Sequence, residues 1–446
     1  MAISRDARNP RRPSRAPAAV VALGLAGLLL TPALVDPQVL DLCGCAAIPD
    51  LRPFDSRDTS TYPPGTTVSG EFITLPLPPD GILRFSSVFV DRRHIRFQRS
   101  TANAPVTILV AGDVTLQGGC CWYSVSVSGD AGSRGTAGGA GVGGLGGPGG
   151  YRGGDGSNKA LYGSGIGGAG FGPGGGGGGT SDLPGECAGT TQGGQFFGVP
   201  ELLPLLGGSG GGGGCSTSAT TPSCSVGGGG GGGGALLIAA NGTIAIRDYE
   251  FYADGGAGGG TDNGSCATGG AGGSGGAIRL VASRLVAPGY TGLFARGGGG
   301  GFNAPGGGPG RIRLESVDSS ALTTYATDPA AIRVVGPTPL ANPVAPSVTI
   351  TAVGGHAVPA VPQGTFGSID VVVPVPGATS VELTTSGVPG GTTALVTVKP
   401  RRGAQPLSES VLLGNCNAAG VCGGTAVFNL AAGAYVVEAR ATFQVP

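Results

Sequence analysis

Glycine falls on every third residue from Gly129 to Gly156, in GDAGSRGTAGGAGVGGLGGPGGYRGGDG, and this spacing restricts the chain more than any other feature. A period of three fits neither an α-helix, at about 3.6 residues per turn, nor a strand, at two. It fits a left-handed extended helix of three residues per turn. The runs GPGGGGGGT (172–180) and GGGGGGGGA (227–235) continue the composition, and 95 of 446 residues are glycine. Glycine buries no side chain and loses the most entropy on ordering. Such tracts hold a structure when neighbouring threads pair their N–H and C=O groups across a gap only hydrogens fill. Disulfides can staple them as well.

An internal repeat is the second organising fact. VTILVAGDVTLQG (106–118), ALLIAANGTIAIR (235–247) and AIRLVASRLVAPG (277–289) share one plan, and RIRLES (311–316) has its first strand. An apolar strand ends in a short turn and a second strand follows. A third short strand comes next, in VSVSGDAG (125–132), FYADGGAGG (251–259) and LFARGGGGG (293–301), and each runs into glycine. Recurring strand triplets predict a parallel β-solenoid, with an antiparallel sandwich as the alternative. Stacking would align Ile108, Leu237, Ile278 and Ile312 in one inward column. The glycine tracts 129–234, 255–276 and 297–310 are then insertions between coils.

The N-terminus reads as an export signal. Five arginines precede the apolar run AAVVALGLAGLLL (18–30), which is too short for a membrane anchor. Cleavage after Ala33 is one reading. Leu42-Cys43-Gly44-Cys45 also looks like a lipobox, with Cys45 as the lipidated residue. General secretion is preferred, because Asp36 and Asp41 interrupt the approach to Cys45. Secretion makes disulfide candidates of eight of the ten cysteines: Cys120, Cys121, Cys187, Cys215, Cys224 and Cys266 in or beside the glycine tracts, and Cys416 with Cys422 in a local loop.

The expected organisation is a signal segment (1–45), a linker (46–67), a glycine-rich domain (68–330), a proline-rich linker (331–346) and a C-terminal domain (347–446). The last contains about seven candidate strands separated by turns, as in a β-sandwich. Leu430-Ala-Ala-Gly-Ala-Tyr435 resembles the tyrosine corner of immunoglobulin-like folds, although Tyr435 opens the last strand here and not the penultimate one. The triplets and glycine runs resemble proteins built from polyglycine II bundles, among them the glycine-rich ectodomain of anaplastic-lymphoma-kinase-type receptors and the glycine-rich snow-flea antifreeze protein. The alternation of strands and glycine resembles glycine-rich secreted proteins of bacteria. The resemblance implies an architecture and no active-site residue. Only Pro148 occupies an X or Y position across the triplets, which argues against collagen. The fold class expected is all-β: a glycine-rich β-solenoid-like domain with polyglycine II segments, then an immunoglobulin-like sandwich.

Little chemistry is written in the chain. Zero formal net charge argues against nucleic-acid binding. His94 and His356 are the only histidines, and no CxxC occurs, so no metal site or cofactor is expected. GxSxG at Ser209 and Ser274 lies in glycine tracts with no histidine near in sequence, which does not make a nucleophile elbow. Asp113, Asp130, Asp248, Glu250 and Asp254 are candidate carboxylates for a sugar-cleaving solenoid, with turn-forming roles as the plainer reading. Asp155, Asp254 and Asp262 match no calcium motif. Trp122, Tyr123, Tyr249, Phe251 and Tyr252 are either a sugar platform or core. The expectation is a secreted or surface-anchored structural or adhesive protein without catalysis. Its partner would be polysaccharide or cell envelope, with membrane contact only through the lipid anchor. The alternatives are a β-helical carbohydrate binder or carbohydrate-degrading enzyme, and an ice-binding protein.

Overall fold

The computed structural model describes residues 41–45, 48–100, 103–119, 123–136, 140–157, 167–179, 191–216, 224–261, 267–318, 325–338, 340, 346–359, 369–400 and 407–443. Cys120, Cys121, Trp122, Cys187, Asp262 and Cys266 lie outside them, as do residues 1–40 of the stretch expected to be an export signal. Within the described residues the chain is all-β, with one 3-10 turn at Thr59–Thr61.

The repeated segments pair in parallel and form three ladders. The first holds Ile82–Phe85, Val106–Val110, the first half of Ala235–Arg247, Ala277–Val286, Arg311–Asp318 and Ile332–Val335. The second holds Phe54–Asp55, Val88–Asp91, Val114–Gln117 and the later halves of the two long strands. The third holds Phe72–Pro76, His94–Gln98, Tyr123–Ser126, Tyr249–Tyr252, Thr291–Phe294 and Ala326–Asp328. From Ile82 to Phe294 each turn of the chain lays one strand on each ladder in order. Alternation aims every second side chain at one shared core. Phe54, Val88, Val114, Ile244 and Leu285 form one inward column, and Ile73, Ile95, Val125, Phe251 and Leu293 another.

The stack is longer than the sequence suggested. Residues 54–67, expected as linker, contribute a paired strand and the buried Phe54. Ile332–Val335, expected in the second linker, pairs with 313–316. At that end Arg333 takes the register position of inward Leu314, and its guanidinium bonds the carbonyls of Ala331 and Tyr325. A charge in the inward column marks the last turn, as a terminal repeat requires.

The expected inward column needs correction. Val106, Leu236, Ile278 and Ile312 align, as do Ile108, Ile238, Leu280 and Leu314. Leu237 faces the other way, opposite Thr107 and Arg279. A one-residue slip reverses every side chain of a strand. Alternation does not fix the register here, because 235–240 and 277–282 are buried on both faces and carry apolar residues on both. The outer face of this ladder is covered by Cys43, Cys45, Leu202 and Leu205, which pack on Ala235, Leu237, Ala239, Ala277 and Val281.

The glycine tracts form a hydrogen-bonded bundle of extended threads. Along 227–234 the N–H groups of 227, 230 and 233 go to the carbonyls of Thr268, Ala271 and Ser274. Those of 228, 231 and 234 go to Ser133, Asp130 and Val127, and those of 229 and 232 to Gly154 and Tyr151. The carbonyls of 227, 230 and 233 accept from Gly214, Gly211 and Gly208. Those of 228 and 231 accept from Gly259 and Gly256, and those of 229 and 232 from Gly144 and Gly147. Each face thus repeats every third residue, and six neighbouring threads surround the central one. The approach is too close for side chains: a Cβ on Gly232 would lie 1.9 Å from the carbonyl oxygen of Gly208. The threads continue the ladders, since Gly129 bonds Asp254 and Gly255 bonds Arg296 beyond the third-ladder strands.

The C-terminal residues form two antiparallel sheets around a separate core. One contains His356–Ala357, Ser347–Val353, Gly377–Ser386 and Cys422–Leu430. The other contains Val372–Val373, Gly433–Ala441, Thr393–Pro400 and Leu407–Leu412. Val381, Leu383, Val396, Val398 and Phe428 fill the space between. Tyr435 donates its hydroxyl to the Ala431 carbonyl at 2.9 Å. The place beside the strand it opens is taken by Val372–Val373, from earlier in the chain. Tyr435→Phe removes one hydrogen bond and should cost about 1 kcal/mol in a denaturant melt.

Candidate functional site

The outer face of the third ladder gathers the most varied chemistry in the stack. Register puts Phe72, His94, Ser124 and Glu250 in one outward row and Arg96, Ser126, Tyr252 and Phe294 in the next. Asp254 and Arg296 follow at the margin. At one end the His94 ring stacks on Phe72 with centroids 4.6 Å apart, and the Arg96 guanidinium lies 3.8 Å from the Phe72 centroid. At the other, Tyr252 stacks on Phe294 at 5.3 Å, with Arg296 over Phe294 at 4.5 Å. Ser124 and Ser126 separate the two groups.

His94 Nδ1 lies 3.1 Å from Ser124 Oγ. Burial lowers the pKa of His94, opposed by the charge of Glu71 and reinforced by Arg96. The ring therefore loses its proton at a lower pH than an ordinary histidine. A hydroxyl beside an imidazole is half of a nucleophilic pair. Among the described residues nothing orients the other ring nitrogen, so the arrangement lacks the third member that such a pair uses.

The candidate carboxylates do not converge on one point. Asp113 Oδ1 accepts the backbone N–H of Thr243 at 2.7 Å, and Asp248 Oδ1 that of Tyr290 at 3.1 Å. Asp254 accepts the N–H of Arg296 at 2.7 Å and the Arg296 guanidinium at 2.6 Å. Each stitches one turn of the chain to the next, a turn-forming use of aspartate. Asp130 pairs with Arg99 at 2.9 Å. Glu250 is buried and accepts the hydroxyl of Tyr252, whose pKa is raised by burial and by that carboxylate. Asp155 pairs with Arg152. Among the described residues no group of three acidic, histidine or cysteine side chains is placed to hold a metal ion.

The aromatic candidates divide. Tyr123, Tyr249 and Phe251 are buried in the core, and Tyr252 alone faces outward. Ser209 Oγ accepts from the N–H of Gly174 and Ser274 Oγ from that of Ser209, so both hydroxyls brace the bundle.

Cysteine placement was partly hidden from the sequence. Cys416 and Cys422 are joined, and Cys215 and Cys224 are both disulfide-bonded. Cys43 is bonded to Cys45. The knuckle they form is buried against Asn241, whose Oδ1 accepts the Cys43 N–H at 2.9 Å, and Asp41 Oδ1 accepts from Cys45 N and Asn241 Nδ2. A lipid thioether would need the same Cys45 sulfur, so the two uses exclude each other. Lipobox spacing and a docked knuckle read identically in sequence, and the tertiary contacts with Asn241 and the outer face of the first ladder distinguish them.

Compared with known proteins, the chain matches no family model, no curated sequence and no solved structure.

Proposed function

We propose that this is an exported structural and adhesive protein without catalytic activity. Its glycine-rich part is read as a β-solenoid braced by a polyglycine II bundle, and its C-terminal part as an immunoglobulin-like sandwich. One observation carries the reading: the 227–234 thread is hydrogen-bonded on six sides with a three-residue repeat. Such packing ties together tracts that would otherwise be the least ordered part of the chain. Disulfides at Cys215 and Cys224 hold the tracts further. A braced rod at the cell surface or in the matrix would present side chains to polysaccharide or cell envelope at fixed spacing.

The carboxylates support this reading over a carbohydrate-degrading one, because they bond backbone groups and arginines. The aromatic rings of the third ladder stack on one another, which leaves little face for a sugar. No feature of the described residues favours ice binding.

Limited proteolysis of the oxidised, mature protein tests the brace. Residues 129–310 should survive as one block and become cleavable on reduction. Immediate cutting within the tracts while the disulfides are intact would remove the reading. Release of sugar ends from polysaccharide would overturn the absence of catalysis.

A further inference from the structure

The C-terminal module carries an open groove of about 520 Å³ between the outer face of one sheet and the edge strand of the other. Glu382, Thr384 and Thr425 line one side, and Ser410, Leu412 and Asn415 the other. The volume is within the range of small-molecule sites, about 300–1,000 Å³. We infer that this groove binds an uncharged or amine-bearing oligosaccharide, which rests on the adhesive part of the function proposed above.

The groove exists for a local reason. Gly414 and Gly423 join the two sheets here by reciprocal hydrogen bonds of 2.9 and 2.8 Å. Neither has a side chain to fill the corner, and a Cβ on Gly414 would meet nothing within 4 Å. The Cys416–Cys422 disulfide closes the loop between them. The walls are therefore fixed before any ligand arrives, which lowers the entropy cost of binding.

The lining has unused hydrogen-bonding capacity. Neither the Glu382 carboxylate, the Thr384, Thr425 and Ser410 hydroxyls, nor the Asn415 carboxamide bonds another described residue. A carboxylate accepts from two adjacent hydroxyls, and a carboxamide and hydroxyls both donate and accept. Vicinal diols of a sugar satisfy such a set. Leu412, 69% exposed, offers an apolar contact for the C–H face of a ring. The charge decides the class: one carboxylate and no cation line the groove, which disfavours phosphate, sulfate and uronate.

An extended peptide is the competing occupant, added to the open edge of Leu407–Leu412. Glu409 stands on the same side of that strand as buried Val411. A charge at such a position discourages strand addition.

The test is calorimetric titration of the full, oxidised chain with cello-, manno- and chitosan oligosaccharides, oligogalacturonate and an unstructured peptide. A neutral or amine-bearing sugar should bind and oligogalacturonate should not. Glu382→Gln should weaken binding about tenfold, the scale of one hydrogen bond to a charged group. Ser410→Trp should fill the groove and abolish binding. Glu382 is exposed and unpartnered, so Glu382→Gln decides the matter if Ser410→Trp does not fold. Binding unchanged in a folded Glu382→Gln variant, preference for the uronate or peptide, or no sugar binding would each overturn the inference. A protein that resists protease yet binds no sugar loses the groove and keeps the brace, so the two failures are separable.

Discussion

Gly230→Ala should lower the melting temperature of the oxidised protein by roughly 10 °C, corresponding to about 4 kcal/mol. Gly230 donates to Ala271 at 2.8 Å and accepts from Gly211 at 2.9 Å. An added Cβ would lie 1.9 Å from the Gly256 oxygen, 2.6 Å from its carbon and 2.9 Å from the Ala257 carbon. All three are backbone atoms, and Gly256 donates to Gly231 of the same thread. Relief would require two threads to part along several hydrogen bonds. Gly299→Ala is the control, because a Cβ there meets nothing within 4 Å. It should be neutral or stabilising by up to about 1 kcal/mol, through reduced freedom of the unfolded chain. Thermal melts and amide exchange of 227–234 check both. Equal effects at the two positions would mean that glycine in the central thread is compositional and not sterically required.

That contrast also separates what is legible in the sequence from what is not. The three-residue period is explicit in 129–156, where other residues interrupt the glycines. In 227–234 the run is all glycine, so no pattern shows which residue meets which neighbour, and partner choice is a tertiary fact. The strand triplets were visible because their inward residues alternate, as in Val106–Val110. Register failed at Leu237 because the covering pieces, 41–45 and 199–205, come from distant parts of the chain. On the same outer face Arg279 is buried beside Glu315 and Thr338, although the sequence presents it as an ordinary charged strand residue. The first strand of the stack, Phe54–Asp55, reads as linker in the sequence, since proline, threonine and aspartate around it outweigh one aromatic residue. The groove was invisible for another reason. Glu382, Ser410 and Asn415 are ordinary polar surface residues, and only the sheet corner at Gly414 and Gly423 brings them together.

Glu315→Gln should destabilise the protein by about 3–5 kcal/mol, the cost of breaking a buried ion pair from one side. Glu315 Oε1 accepts from Arg279 Nε and Arg313 Nε, each at 2.7 Å, and Oε2 accepts from Thr338 N at 2.6 Å. Arg279 also reaches the Thr338 hydroxyl at 2.7 Å, and Arg313 the Pro200 carbonyl at 3.3 Å. One carboxylate thus ties two turns of the first ladder to the segments that cover it. The glutamine would leave two buried guanidiniums without a countercharge, and Arg279 Nη1 already has no partner among the described residues. Combined Arg279→Met, Glu315→Leu and Arg313→Met should recover most of the loss, since apolar packing replaces buried charge at little cost. The pH dependence has a definite sign. Burial raises the pKa of Glu315, but the Arg279 hydrogen bond, the Thr338 N–H and Arg313 outweigh it and hold it below the ordinary glutamate value. Its contribution is therefore complete above that value and lost as pH falls through the lower, folded-state one. Melting temperatures of wild type and Glu315→Gln should differ most at neutral pH and converge in acid. Parallel curves across that range would mean that the cluster contributes packing and not charge.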